Sequence, residues 1–578
     1  MEKTKRYQQL MMKFPTSRLK GFLGDKIAEA LIEWSPNGGH DFTKKELIRM
    51  IECIYGTDIF KDSEFRKQLL LRSSDDIFKI RDKFLSGEEK CETDPEKIAE
   101  IISSKHWRKD KLSQYLIDIW ELPGDIFDKK NADNKSVEVI SNGDDRFYEL
   151  LDYQYVIKQR ALNILNDGYS QERLFIHMPT GTGKTKTAMH IITDFFQNTL
   201  ENKGLVLWIA HTNELLEQAY DTFVNVWRHL GNSECCVYRL WDKNEIRDID
   251  KPLNGIVFCG LAKLMHVYKN NEGLKDRLKR DCRLIVFDEA HKALADETRT
   301  VIEDLMLRPE GYEDRALIGL SATPGRTTED TSHNQHLSDM FGNKLIFIDT
   351  ELLNHINMGK LKALNTVAEE NIIQYFQERK ILSKIRPERL TYEKDFSSSD
   401  LKALSKAIND TGLADDDYSD NQLKIFAENK SRNKKIMEKL HDLHEENIPT
   451  IVFACSVSHA RMLSAMLTLS GIDNSLVVSG MSTAERREAI NIFKDRDSPT
   501  NIIINYGVLT TGFDSKNIRC VFITRPTKSV VLYSQMLGRG LRGPMMGGNE
   551  ECLLVDIKEN LDKFDNESAF AHFDSYWR

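Results

Sequence analysis

The 578-residue chain holds nine cysteines but no C-x-x-C pair, and only Cys235 and Cys236 stand together. That scatter offers neither a zinc site nor a disulfide framework, and it suits a reducing compartment. No apolar run approaches the ~20 residues that a membrane-spanning helix needs. The opening MEKTKRYQQLMMKF also lacks the apolar core of a secretion signal. A soluble, cytoplasmic protein is expected. Positive charge is not in excess either: 81 basic side chains face 90 acidic ones, a formal net charge of -9. A histone-like coat is thereby excluded. An enzyme that grips a polyanion locally, partly through backbone amides, is not.

What the chain does have is a change of pattern after its first quarter. At this length one core is too few, and three or four domains are expected. Residues 1–140 read as an all-helical accessory domain. Phe22, Ile27, Leu31 and Trp34 recur near helical spacing, Thr43 to Glu46 (TKKE) forms a capping-box signal, and Asp94 with Pro95 opens another helix. The polar, turn-rich stretch 127–145 reads as a linker. Beyond it, short runs rich in Val, Ile and Phe alternate with helical segments: RLFIHM, GLVLWIAH, GIVFCG, RLIVFDEAH and ALIGLSAT, then TIVFACS, SLVVSG, TNIIINYG, CVFITRP and CLLVDI. Such alternation predicts parallel α/β sheets, and this many strands exceed one tidy sheet. Two α/β lobes are expected, at 141–340 and 341–578, the second with a helical, acid-rich insertion near 375–435.

Three short stretches carry chemistry. HMPTGTGKTKTAMH, residues 177–190, reads as strand, glycine loop and helix. Gly181 and Gly183 let backbone N–H groups turn in around phosphate oxygens, at the positive end of a helix. Lys184 would reach the β- and γ-phosphates and the Thr185 hydroxyl would bind Mg2+. The strict pattern wants glycine where Met178 stands, so this loop alone leaves a chance turn open. The strand LIVFDEAH then ends in Asp288 and Glu289. Hydrolysis of a nucleoside triphosphate needs one carboxylate for the metal and one for the attacking water, and Asp288 suits the first role, Glu289 the second. Last, QMLGRGLR (535–542) sets Arg539 and Arg542 three apart, expected on one helix face. Their planar, permanent charge suits a developing phosphoryl charge.

With these elements in order, the chain resembles a superfamily 2 helicase or translocase of the DEAH-box variety over about 150–578. It resembles in particular restriction-enzyme motor subunits and prokaryotic defence-associated helicases. Further motifs carrying the likeness are AHTNELLEQ, FCGLAKL, SATPGR, VFACSVSHA and GVLTTGFD. The resemblance implies two RecA-like lobes with ATP in the cleft between them and a nucleic-acid strand across their top. It implies that Gln154 (with Gln159 a nearby alternative) reads adenine. Thr180, Gly181, Thr182, Gly183, Lys184 and Thr185, with Gly512 and Asp514, would hold the nucleotide, and Thr185 and Asp288 the Mg2+. Lys184, Asp288, Glu289, His291, Arg539 and Arg542 would form the catalytic set. His211, Thr212, Gly260, Ser456, Thr510 and Thr511 would touch the sugar–phosphate backbone, and Ser321, Thr323 and Gln535 would couple the two sites. Taken singly, each of these hydroxyls also fits an ordinary strand-end turn.

TTGFD at 510–514 resembles the DNA-translocating groups, so DNA is favoured over RNA. An RNA helicase, or a nucleic-acid-sensing ATPase switch that separates no strands, is the alternative. No PD-x-E-x-K, HKD or HD signature is found, and His333 and His336 read as loop residues. Any cutting therefore falls to a partner, such as a nuclease. Residues 1–140 balance 26 basic against 26 acidic side chains, yet Lys3, Lys5, Arg6, Lys13, Arg18 and Lys20 crowd the start against Glu2 alone. A docking module for that partner, or for one end of a duplex, is expected there, with a cap over the first lobe as the alternative.

Overall fold

The computed structural model describes residues 5–24, 27, 42–122, 136–143, 147–166, 172–242, 244–246, 253–307, 315–322, 331–348, 372–393, 396–400, 403–404, 417–481, 483–510, 513 and 515–557. Helices come first. Thr43 and Glu46 cap the Lys44–Tyr55 helix reciprocally, with Glu46 N–H donating to Thr43 Oγ1 at 3.3 Å and Thr43 N–H to Glu46 Oε2 at 2.8 Å. Asp94 accepts from Glu96 N–H ahead of the Pro95–Ser104 helix. Phe22 lies in the Thr16–Leu23 helix, while Leu31 and Trp34 fall outside the described residues.

Two sheets follow. The first contains β1 (Val137–Ile140), β2 (Arg173–His177), β3 (Leu205–Ala210), β4 (Cys235–Leu240), β5 (Gly255–Gly260), β6 (Cys282–Asp288), β7 (Ala316–Ser321) and β8 (Leu345–Ile346), in the order β1-β4-β5-β3-β6-β7-β2-β8. All its neighbours run parallel except β1, which pairs antiparallel with β4. The second contains β9 (Lys384–Leu390), β10 (Thr450–Phe453), β11 (Ser475–Val477), β12 (Ile502–Asn505), β13 (Cys520–Ile523) and β14 (Glu551–Ile557), ordered β11-β12-β10-β13-β14-β9 and wholly parallel. The expected class, two parallel α/β lobes after a helical region, is the one observed. The central strands are buried end to end, as strands covered on both faces must be.

Two expectations need correcting. The linker at 127–145 contains β1, and the helical insertion at 375–435 contains β9. Both strands lie at sheet edges, where one flank meets solvent, and all their residues except Ile140 are at least partly exposed. Pro387 is tolerated in β9 because an edge strand can spare one N–H. Part of the insertion, including 405–416, lies outside the described residues.

Among the described residues, the N-terminal helices pack on the second lobe. The Lys44–Tyr55 helix packs on the Val457–Leu469 helix of the second lobe, and Leu47, Ile51 and Ile54 share a buried core with Leu463 and Leu467. Arg461 lies over the Tyr55 ring at 4.7 Å, Arg49 pairs with Asp473 at 3.1 Å, and Thr57 N–H donates to Glu485 at 2.8 Å. A chain beginning at residue 138 should therefore expose this face and aggregate or melt early. Retention of a wild-type melting curve by that shortened chain would show the helices to be dispensable to the second lobe. Lys3, named above for the basic leading edge, lies outside the described residues.

Acid should loosen the same lobe. Buried His459 accepts from Cys455 N–H at Nδ1 (3.1 Å) and faces Asn433 Oδ1 at Nε2 (3.0 Å), a pattern that suits the neutral ring. Burial, reinforced by Arg432, pushes its pKa down to about 3. Between that value and the ordinary ~6.5, the unfolded chain binds a proton that the folded chain refuses. Stability is thus fully present above ~6.5 and falls with pH, by up to about 1.4 kcal/mol per unit from this group. Urea melts at pH 7 and pH 5 should show the drop, and His459→Gln should flatten it.

Candidate active site

β2 delivers the chain into the glycine loop. Gly181 and Gly183 sit at φ +89° and +84°, in the left-handed region that favours glycine. The Lys184–Asp194 helix starts immediately afterwards with no side-chain cap, so its first N–H groups are available to an anion. Met178, where the strict motif has glycine, is buried and donates its N–H to Ser321 O at 3.2 Å, so the loop is anchored to β7. The Thr182 carbonyl takes two bonds from the Asp152–Leu165 helix, Tyr153 Oη–H at 2.6 Å and Gln154 Nε2–H at 2.8 Å. Gln154 Oε1 also accepts from Leu151 N–H. Both ends of the Gln154 amide are therefore engaged inside the first lobe, where they brace the loop.

β6 brings the carboxylates alongside. Lys184 Nζ lies 3.3 Å from Asp288 Oδ1 and 3.4 Å from Glu289 Oε1. Burial alone would push Glu289 up, but the Lys184 ammonium, with smaller help from His291 and His211, holds it at about 2. Burial, with Glu289 beside it, raises Asp288 against the same lysine. Burial also opposes the charge on Lys184, and the two carboxylates overcome it, raising its pKa. Glu289 has φ +56°, a left-handed conformation costly for a residue with a β-carbon. Its Oε2 is buried without a hydrogen bond, with His291 Nδ1 3.4 Å away. His291 Nδ1 also meets Ser321 Oγ at 3.1 Å, joining β6 to β7. Burial holds His291 neutral, at about 3. His211, likewise lowered by burial to about 4, contacts Lys292 Nζ through Nε2 at 2.8 Å and leaves Nδ1 buried and unbonded.

The second lobe closes over this loop. The Val530–Leu537 helix stops at Leu537, so Arg539 and Arg542 do not share a helix face as expected. They follow on an extended turn, and the reason is packing. A β-carbon on Gly538 would come within 2.5 Å of the Thr180 side chain, one on Gly540 within 2.3 Å of Cys552 Sγ, and one on Gly543 within 2.3 Å of Lys380 O. The three glycines let this turn press flat against its neighbours. A β-carbon on Gly181 would sit 3.6 Å from Leu541 O and 3.2 Å from Leu382. Arg542 bridges Leu382 through its backbone, and Arg539 donates to Phe513 O at 2.6 Å and, through Nε, to Gln535 O at 3.2 Å. The glycine loop that carries this lysine on one lobe thus packs against an arginine-bearing turn from the other.

Sequence comparison agrees with that geometry. Residues 147–326 match the family of the type III restriction enzyme res subunit, and residues 432–543 match the helicase conserved C-terminal domain. The chain belongs to the superfamily 2 helicases. IRC3 of Saccharomyces cerevisiae is 26% identical over 71% of the chain and 51% of its own length. The type I restriction enzyme EcoAI endonuclease subunit of Escherichia coli is 24% identical over 72% of the chain and 47% of its own length. This helicase therefore spans about half the length of the curated relatives it matches first. Among solved structures, S. cerevisiae Dbp5 bound to RNA and ADP BeF3 aligns with a TM-score of 0.45 at 14% identity, over 73% of this chain and 87% of that one.

Of the remaining expected residues, His211, Thr212, Gly260, Ser321, Ser456 and Thr510 lie at or just past the carboxyl ends of strands. Thr212 caps the Asn213–Leu230 helix by accepting from Leu215 N–H at 3.3 Å, and Ser456 caps Val457–Leu469 by accepting from His459 N–H at 3.1 Å. Gly260 precedes the Leu261–Asn270 helix, packed against Trp241. Thr510 donates to Gly507 O at 3.2 Å. Ser321 ends β7, and Gln535 is buried with Nε2 unbonded. Thr323, Thr511, Gly512 and Asp514 lie outside the described residues. Sequence reading missed Tyr153, whose only signal was its place beside Gln154. It also missed two ion pairs across the cleft, Arg486 with Glu214 and Arg487 with Glu217, which border an interlobe cavity of about 400 Å³.

Proposed function

We propose that this helicase is an ATP-driven, Mg2+-requiring motor that moves on or unwinds DNA. The observation that carries the reading is Lys184 held between Asp288 and Glu289, at the end of a glycine loop that packs against the arginine turn of the opposite lobe. The residues fit the nucleotide and its metal. The loop's left-handed glycines and uncapped helix start suit phosphate, and the buried, unbonded Glu289 Oε2 suits a water or a polar ligand. Thr185 and Asp288 supply the hard oxygen donors that Mg2+ takes beside a substrate's phosphates. Bound there, Mg2+ would neutralise phosphate charge.

The protein's own groups do the rest. Lys184 exchanges its carboxylate partners for phosphate oxygens, which frees Glu289 to orient and deprotonate the attacking water. Arg539 and Arg542 supply positive charge from the second lobe, so chemistry depends on closure of the cleft. His291 and Ser321 link the carboxylate strand to β7, giving hydrolysis a route to the strand ends where Thr212, Gly260, Ser456 and Thr510 would grip phosphates without reading sequence.

DNA is preferred because TTGFD resembles DNA-translocating groups and because relatives include EcoAI and a protein named the ATP-dependent DNA helicase uvsW of phage T4. A cutting partner, if the system has one, lies in another chain or segment. ATPase and strand-displacement assays on tailed DNA, tailed RNA and blunt duplex test the reading. DNA-stimulated hydrolysis with displacement is expected. Stimulation by RNA alone would reassign the substrate, and stimulation without displacement or movement would make the protein a switch.

A further inference from the structure

We propose that Arg379 is a positioning residue that holds the arginine turn of the second lobe in register with the phosphate loop of the first. The proposal rests on the catalytic reading of Arg542 above. Arg379 follows the Ile372–Glu378 helix, in the region expected to be a helical insertion of the second lobe. Its Nη1–H and Nη2–H donate to Asp152 Oδ1 and Oδ2, both at 2.8 Å, and Nη1–H also donates to Tyr375 Oη at 2.6 Å.

Asp152 is the first residue of the helix whose next two residues, Tyr153 and Gln154, both bond to the Thr182 carbonyl of the loop. The Tyr153 ring packs edge-on against Phe376 with centroids 5.0 Å apart. One side of the segment 375–383 is thus fastened to the brace of the phosphate loop.

The other side is fastened to the arginine turn. Met545 N–H donates to Lys380 O, Gly543 N–H to Ile381 O and Ser383 N–H to Leu541 O, each at 2.9 Å. Ser383 Oγ–H donates to Arg542 O at 2.6 Å. These backbone bonds leave residues 541–545 little freedom to move apart from 380–383. Where Arg379 goes, Arg542 follows.

A paired Arg–carboxylate contact fixes angle as well as distance, which a lysine cannot do. Both partners are about a third exposed (side-chain exposure 34% and 39%), so the pair adds little to stability. Its effect is geometric, and a displacement of about 1 Å can cost on the order of 10²-fold in rate.

The test is single-turnover hydrolysis of ATP with Mg2+ and DNA by the full chain, together with binding of a fluorescent ATP analogue and thermal melts. Arg379→Ala should lower the rate at saturating ATP by about 10- to 100-fold, with nucleotide affinity and melting temperature near wild type. Arg379→Lys should recover little, and the exchanged pair Asp152→Arg with Arg379→Asp should recover more. In an Arg542→Ala background, Arg379→Ala should cost nothing further, because both remove the same contribution. Multiplying effects in the double variant, or a wild-type rate in Arg379→Ala, would overturn the proposal. If Arg542→Ala itself turns over like wild type, the catalytic reading fails and takes this proposal with it. A slow Arg542→Ala beside a fast Arg379→Ala sinks the proposal alone.

Discussion

Glu289→Gln should bind ATP and metal like wild type and hydrolyse ATP about 10²- to 10⁴-fold more slowly, the range expected when a general base is lost. Glutamine keeps the size and one acceptor oxygen but cannot take a proton. Lys184 keeps Asp288 at 3.3 Å, so the loop retains an anionic partner before nucleotide arrives. Lys184→Ala should differ in kind. It removes the cation that reaches the phosphates, and binding itself should weaken. Rapid-quench hydrolysis beside equilibrium binding separates the two variants, and wild-type turnover by Glu289→Gln would end the assignment.

The environment of Glu289 sharpens this expectation. With its carboxyl held at about 2, the group is ionised at pH 5 and above. The sign is that of a depressed carboxylate: the base form exists above that value and is lost only on approaching it. Any acid limb in kcat/KM between pH 5 and pH 7 must therefore come from another group. The residue also carries strain from φ +56° and a buried, unbonded oxygen. Conformational strain of this kind costs on the order of 1–3 kcal/mol and persists where function requires it. Glu289→Gly should thus melt no lower than wild type while losing hydrolysis, a stability gained at the expense of chemistry.

How much of this was legible before folding follows from where each signal lives. The phosphate loop and the Asp288–Glu289 strand end were readable because their chemistry is local: glycines, a lysine and carboxylates at the ends of apolar runs. The central strands were readable for the same reason, being continuously hydrophobic. β1 and β9 were not, because edge strands are half-solvated and look like loops. The turn at 538–543 was misread because its glycines answer to Thr180, Cys552 and Lys380, residues distant in sequence. Long-range pairs such as Arg379 with Asp152, or Arg486 with Glu214, leave no trace in any short window. The neighbour of the N-terminal region stayed hidden for a related reason. The apolar face of Lys44–Tyr55 announces that something covers it, but not that the cover is Val457–Leu469.

Arg542→Ala should lower hydrolysis by roughly 10³-fold or more while leaving ATP affinity within a few-fold, by analogy with arginine fingers. The backbone around this residue is unusually constrained. Arg542 O accepts from Ser383 Oγ–H and from Asn549 N–H, and Gly543 N–H is bonded to Ile381 O. A β-carbon on Gly548 would meet Arg542 O at 2.1 Å. The turn is therefore built before nucleotide arrives, and the substitution removes a side chain without moving the chain that carries it. Arg542→Lys should restore little, since an ammonium cannot present a planar pair of donors. A second variant reaches the same outcome by another route. Gly543→Ala leaves the guanidinium intact, but its new β-carbon would fall 2.3 Å from Lys380 O and force the turn to shift. If the position of Arg542 is what matters, Gly543→Ala should also lose most of its turnover while still binding ATP. Full activity in Gly543→Ala beside a dead Arg542→Ala would mean that the arginine reaches its target from more than one backbone position.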